Sequence, residues 1–370
     1  VKILYTNFHP RNGGGHVTYI LNLARALAPE HEIVVATPST SRLYRYAQSV
    51  PGVRVVPMTY TTRLSSWFGD RRALRQLIGR ERFDIIHCNG SADHKQVMLA
   101  TLGRRRARVI FTKHNDHPLA SLGNALRARL ATDHVIAVSD YVRRLVEDSP
   151  YRRLPISTIR HGIDTHFYAP PAAGSQDKLR ALYFGENWRG KLLLGSAGGT
   201  DFDKGWLDLV DAAGSLPEPL RQRIRILVAG DPPNEAKLAR VRAAGMQDQM
   251  VFPGLLDDVR AALAACHAGY VLSYREALSF ACREMMAIGR PVLASDAGGL
   301  PENITPGQDG WIVPARDVAA IARVLQDMLA DPAMLERMGQ AARQKALREF
   351  NLHDFARATM DVYVAALAGR

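Results

Sequence analysis

Apolar residues along this chain follow two alternating patterns. Short runs in which nearly every position is apolar, such as Lys2-Ile-Leu-Tyr-Thr6 and Glu32-Ile-Val-Val-Ala-Thr37, alternate with longer stretches where apolar residues recur every three or four positions. The second pattern is clearest at 16–28, where Val17, Ile20, Leu21, Ala24 and Leu27 share one face of a predicted helix. Near-continuous apolar strands belong to parallel sheets covered on both faces, so the alternation predicts an α/β fold.

The expected strands of the first half are 2–6, 32–37, 53–58, 84–88, 108–113, 134–139 and 156–160. A Pro/Ala/Gly-rich stretch from Ala169 to Ser175 interrupts the series. A second series follows at 192–195, 224–229, 250–252, 269–272, 291–294 and 311–313, closed by helices over 318–348. The pattern therefore predicts two doubly wound, Rossmann-like domains, 1–170 and 171–351, with a last helix at 352–367 positioned to return to the first. Open parallel sheets bind ligands beyond the carboxyl ends of their strands, which places the expected site in a crevice between the domains.

Composition narrows the class. The chain has 370 residues, 47% of them hydrophobic, and three cysteines too far apart for a zinc or redox motif, which fits a folded cytosolic protein with reduced thiols. The opening VKILYTN reads as a strand without a signal-peptide n-region, and no apolar run is long enough to span a bilayer. The net charge of +12 is unevenly placed: residues 1–170 carry 25 Lys and Arg against 12 Asp and Glu, and residues 171–370 carry 23 against 24. Such a field attracts anionic lipid, nucleic acid or an acidic acceptor.

The chemistry-bearing motifs fall at predicted strand ends. His9-Pro-Arg-Asn-Gly-Gly-Gly-His16 leads from the first strand into a helix, and its glycines, Gly14 and Gly15 among them, allow backbone N–H groups to approach a phosphate. A dinucleotide fingerprint is not completed, because Thr18 takes the third glycine's place and no acid follows the next strand. The longer motif runs from Ser273 to Glu302. Glu276 follows a strand, Ser279 is a candidate N-cap, and the helix that starts there aims its positive end toward an anion. Glu284 lies about 7–8 Å further along, a separation suited to gripping two ends of one extended ligand and too large for a proton-sharing pair.

The Glu276-x7-Glu284 spacing, with the Ser295-Asp-Ala-Gly-Gly-Leu-Pro-Glu302 turn after it, resembles retaining glycosyltransferase family 4 of the GT-B fold. Thr112-Lys-His114, Val138-Ser139, Gly162-Ile-Asp164, Lys204-Gly205, Phe252-Pro-Gly254 and Asp309-Gly310 fall in the family's order over most of the chain. The resemblance implies a nucleotide-sugar donor, a UDP- or GDP-sugar, on the C-terminal domain and an acceptor on the N-terminal one. It implies catalytic roles for His114, Lys204 and Glu276. Donor contacts would come from Gly14, Gly15, Lys204, Leu278, Ser279, Phe280, Ala281 and Glu284. Lys204 would neutralise the diphosphate leaving group, so neither metal nor other cofactor is expected. Asp201-Phe-Asp203 and His114-Asn-Asp-His117 are accordingly read as loops and not as metal sites.

Two departures from the family are visible. Gly198 and Gly199 stand where an Arg often precedes the Lys, which suggests Arg283 or Arg189 as a substitute cation. Ala277 and Ser279 replace glycines, and their Cβ atoms should narrow the sugar pocket and restrict its backbone. Arg63, Trp67, Phe68, Arg71, Arg72 and Arg75 form a basic, aromatic stretch that fits an acceptor or membrane surface at the inner face, together with Arg104–Arg106. No nucleic-acid recognition pattern accompanies the charge, so nucleic acid is not an expected partner. The expected activity is transfer of a sugar to a lipid-linked glycan, lipopolysaccharide or other anionic acceptor. The alternatives are a non-catalytic basic membrane adaptor with a degraded donor site, and a nucleotide-sugar epimerase of the same architecture.

Overall fold

In the computed structural model the chain forms two compact units, Val1–Gly162 with Leu352–Arg370, and Ile163–Asn351. The structure describes residues 1–11, 14–61, 64–103, 106–172 and 174–369, with residues 64–68 described by their backbone alone.

The first unit is built on strands β1 (Lys2–Thr6), β2 (Glu32–Thr37), β3 (Val53–Pro57), β4 (Ile85–Cys88), β5 (Arg108–Lys113), β6 (His134–Ala137) and β7 (Ile156–Thr158). All pair in parallel in the order β3-β2-β1-β4-β5-β6-β7, the reversal of direction falling between β1 and β4. The central strands are buried along almost their whole length, as two-sided coverage requires. The helix Gly15–Leu27 buries Val17, Ile20, Leu21, Leu23, Ala24 and Leu27, the face its periodicity marks. The last helix, Leu352–Ala368, packs against it. There the hydroxyl of Tyr363 bonds the imidazole of His87 and lies 3.1 Å from the hydroxyl of Tyr5, so a buried polar cluster fastens this helix.

The second unit carries β8 (Leu192–Ser196), β9 (Ile224–Ala229), β10 (Met250–Gly254), β11 (Ala268–Val271), β12 (Val292–Ser295) and β13 (Gly310–Val313), parallel in the order β10-β9-β8-β11-β12-β13. One core layer gathers Trp206, Leu209, Tyr270, Ile321 and Leu325, and another gathers Cys282, Met285, Met286, Leu300 and Phe350. The three cysteines are free thiols, all buried.

The boundary differs from the position expected at 170. Ile163 pairs with Asn351, its N–H donates to Phe350 O at 2.8 Å, and its side chain joins the second core. Arg343 then donates to the carbonyls of Thr165 and Tyr168 at 2.9 and 3.1 Å. Residues 163–170 therefore belong to the second unit, because packing and not the Pro/Ala composition sets the break.

Candidate active site

In the second unit the motif residues collect at the carboxyl edge of the sheet. Phe202–Lys204 form one turn of 3-10 helix, and Gly205 follows with φ 67° as N-cap of the helix Trp206–Gly214. A Cβ at Gly205 would lie 1.9 Å from Leu272 O, so only glycine lets this turn sit against the end of β11. Tyr274 N donates to Asp203 O at 2.8 Å and completes the junction. Lys204 Nζ thereby comes within 3.9 Å of Glu276 Oε2, both side chains partly open to solvent.

Glu276 is held from several sides. Its carbonyl accepts from Gly299 N at 3.0 Å, within the Gly298-Gly299 turn, and its carboxylate accepts from the Ser273 hydroxyl and Ala277 N–H. Burial pushes the Glu276 carboxyl up, and the Lys204 ammonium pulls it back toward the ionised form. Glu284 sits on the buried side of the helix Phe280–Ala287, where burial raises its carboxyl to about 7 against one donated bond from the Tyr168 phenol. A buried carboxylate with so few donors is stabilised by any further hydroxyl offered to it.

Ser279 connects the two. Its φ is 89°, a left-handed backbone that favours glycine, and its hydroxyl accepts from Cys282 N at 3.3 Å to cap the helix. The Cβ expected to restrict this turn is thus accommodated at a cost in strain, and the turn keeps its glycine-like form. Phe280 and Ala281 open the helix and are half-buried. Leu278 is fully buried, its side chain in the core and its carbonyl accepting from Asn303 Nδ2.

Neither cation suggested as a substitute serves this edge. Arg283 is 1% exposed, donates to Asn303 Oδ1 at 2.8 Å and lies over the Phe350 ring, so it is a core residue. Arg189 stacks on Trp188 just before β8, at the amino edge of the sheet. Gly199, with φ 89° and its N–H donated to Ala229 O, instead lies in a turn packed against Gly230. Arg316, unmarked by any motif, reaches the carboxyl edge after β13, with its guanidinium 4.3 Å from the centre of the Tyr274 ring. Asp201 and Asp203 are exposed. Among the described residues no group of three or more His, Cys, Asp or Glu is placed to hold a metal ion.

In the first unit His114 follows β5 and ends a row of tilted and edge-on rings, with Phe8–His9, His9–His16 and His16–His114 centroids 4.1, 4.6 and 4.4 Å apart. Gly14, φ 49°, is the N-cap of the helix that carries His16, and Gly15 is its first residue, so the glycine loop and His114 do meet. Asn89 Nδ2 donates to the carbonyls of Thr6 and His87, which orients its amide and turns Oδ1 toward His114. The 3.0 Å contact from that oxygen to His114 Nε2 therefore requires a proton on Nε2. Burial, and then the neighbouring histidines, hold His114 well below its ordinary value, so the ring is neutral. Beneath it, Asp93 accepts from the Thr6 hydroxyl at 2.7 Å and from Asn89 N at 3.0 Å. Asn89, Asp93 and Tyr168 escape sequence reading because the contacts to His114, Thr6 and Glu284 that give them a role join residues far apart in the chain.

Of the basic stretch, Arg63 and the side chains of Trp67 and Phe68 lie outside the described residues, as do Arg104 and Arg105. Arg72 is exposed and Arg71 and Arg75 half-buried on the helix Leu64–Glu81, which packs on Ser91–Thr101 and buries Leu74. Among the described residues no helix is long and apolar enough to cross a membrane.

Comparison with known proteins shows the family and the fold. Residues 13–167 match the family model described as Glycosyltransferase Family 4, and residues 185–345 match the model described as Glycosyl transferases group 1. A lipopolysaccharide core biosynthesis mannosyltransferase, LpcC of Rhizobium leguminosarum bv. viciae, is 29% identical over 306 residues, covering 79% of this chain and 83% of LpcC. In fold, the chain superposes on Anabaena HepE in complex with UDP and glucose with a TM-score of 0.83, 18% identity and 98% of each chain covered. Sucrose-phosphate synthase from Thermosynechococcus elongatus gives a TM-score of 0.82 at 21% identity, covering 100% of both chains.

Two outcomes follow from the site's energetics. Ser279→Gly removes the strain of a left-handed serine at the loss of a few tenths of a kcal/mol of capping, and should stabilise by about 1 kcal/mol; Ser279→Ala loses the cap, keeps the strain and should destabilise by about 1 kcal/mol. Urea midpoints that move in the same direction for both contradict the assignment. Glu284 binds its proton more tightly folded than unfolded, so its contribution is complete below pH 4.5 and is lost as pH rises to about 7. Urea titrations should show Glu284→Gln flattening the stability profile across that interval, and an unchanged slope would contradict the buried carboxyl.

Proposed function

The chain belongs to the family 4 glycosyltransferases of the GT-B fold, and from that membership we propose that it transfers a sugar from a nucleoside-diphosphate donor to an anionic acceptor with retention of configuration. The observation that carries the reading is the 3.9 Å approach of Lys204 to Glu276 at the carboxyl edge of the second sheet, with buried Glu284 on the helix that follows. Glu276 is suited to accept hydrogen bonds from hydroxyls of the transferred sugar, and Glu284 from those of the ribose. Lys204 and the positive end of the Phe280–Ala287 helix oppose the charge that develops on the departing diphosphate, the work a divalent ion does elsewhere, so the reaction is read as metal-independent.

In the reaction so read, the bond from the anomeric carbon to the diphosphate oxygen breaks while the acceptor hydroxyl adds from the same face. The hydroxyl proton passes to the departing phosphate oxygen. For His114 the reading assigns a neutral polar ring, its Nε2 proton engaged by Asn89, that would add no positive charge to a substrate bound by the first unit. The UDP held by HepE supports a uridine donor, and the likeness to LpcC supports an acceptor of the lipopolysaccharide or lipid-linked glycan class. With an acceptor of that class we read the enzyme as acting in the cytoplasm at the inner face of the membrane, with the arginines of the Leu64–Glu81 helix as its basic surface. The glycine-like backbone at Ser279 speaks against a degraded donor site, and so against the adaptor reading.

Glu276→Ala should reduce transfer from a sugar nucleotide by at least about 100-fold while the circular dichroism spectrum stays unchanged. Turnover near the wild-type rate in a folded variant would refute the assignment.

A further inference from the structure

The second unit holds a cavity of about 790 Å³ on the edge of its sheet opposite Lys204 and Glu276. Its basic lining comes from the positions that lead into successive strands: Lys191 before β8, Arg223 before β9, His267 before β11 and Arg290 before β12, joined by Arg180 and Arg343. Glu336 is the one acidic side chain among the lining residues. The remaining wall mixes apolar side chains, Trp188, Met328, Leu329 and Leu335 among them, with the amides of Gln176, Gln340 and Gln344.

Part of this positive charge is matched within the fold. Lys191 donates to Gln222 O at 3.0 Å, Arg223 to Leu329 O at 3.4 Å, and Arg343 to Thr165, Tyr168 and Ala287 carbonyls. Arg180 and Arg290 are matched less well. Arg290 Nη2 donates to Ala264 O at 2.7 Å and Arg180 lies 3.5 Å from Asp177, yet the Nε atoms of both are buried without a hydrogen-bond partner. Burial, opposed by Cys266 and aided by the Arg180 charge, draws Arg290 down to about 10. His267, whose Nδ1 accepts from Leu193 N, is lowered by burial and then by the same two arginines, which makes it a neutral ring with its proton on Nε2. Like charges gathered in a partly buried space, with donors left over, are a standing cost that an anion removes.

We propose that this cavity binds a phosphate monoester with an organic body, as a site separate from the one that handles the donor. Arginine donors suit the phosphate dianion. The volume exceeds what a bare phosphate fills, and the apolar edges that Trp188, Leu329 and Leu335 present in the wall give an organic body contact. The indole is itself braced by the guanidiniums of Arg180 and Arg189, 5.0 and 4.9 Å from its centre. Its occupancy adds stability to the second unit by linkage, whatever the transferase does.

The test is calorimetric titration of the purified full chain with AMP, glucose 6-phosphate, inorganic phosphate and, as uncharged control, glucose. AMP or glucose 6-phosphate should bind the wild type and the Lys204→Met variant alike, more tightly than inorganic phosphate, while glucose gives no heat. Arg290→Met should weaken that binding by about tenfold or more, the scale of one lost charge-assisted contact. Glu336→Gln, an exposed change that does not threaten folding, should tighten it by about twofold. If Arg290→Met does not fold, the Glu336→Gln arm decides. The proposal is overturned if neither monoester binds the wild type, if glucose binds as well as they do, if Lys204→Met abolishes the binding, or if Glu336→Gln leaves it unchanged.

Discussion

The carboxyl edge of the second sheet depends on holding partly or wholly buried carboxyl groups at the point where β11 gives way to a helix. Glu276 and Glu284 are both pushed toward their neutral forms by burial, opposed by Lys204, the Ser273 hydroxyl and the Ala277 N–H at the first and by the Tyr168 phenol at the second. That arrangement needs a backbone that changes direction within a few residues. The turn is fixed from all sides: Ser295 Oγ donates to Ser273 O at 2.6 Å, Gly299 N to Glu276 O, and Asn303 Nδ2 to Leu278 O. Within it Ser279 adopts a conformation that glycine would take without strain, and its hydroxyl caps the helix it opens. The strain is concentrated at one residue and repaid by geometry at the site.

The first unit uses hydrogen bonds in a different way, to define a single state of one ring. Two carbonyls orient the Asn89 amide, the amide selects the His114 tautomer, and Asp93 with Thr6 holds the Asn89 main chain. The result is a neutral imidazole of defined tautomer at the end of β5. The same reasoning separates the two edges of the second sheet. At the carboxyl edge positive charge is paired with carboxylate, whereas at the amino edge arginines accumulate with Glu336 as the single acid lining their cavity.

Strand positions were legible from apolar runs, because a strand buried on both faces has little freedom in composition; 32–37, 108–113 and 224–229 coincide with the observed strands end to end. The strand-end placement of Lys204 and Glu276 was legible for the same reason. What lay beyond reach depended on contacts between residues far apart in the chain. The unit boundary moved from 170 to 162 because Ile163 pairs with Asn351. Arg283 resembled a free cation until Asn303 and Phe350 closed around it. Tyr168, the donor to Glu284, sits in the segment that composition alone assigned to the other unit.

The claim on which the account turns is that Lys204 and its carboxylate neighbours form a receptor for an activated sugar. Its most direct test is calorimetric titration of the purified chain and its Lys204→Met variant with UDP-glucose and GDP-mannose. The account predicts that one of the two binds the wild type with a stoichiometry of about one, and that the variant binds it at least about tenfold more weakly while remaining folded. Equal affinity in wild type and variant, or no binding of either sugar nucleotide to the wild type, would contradict it.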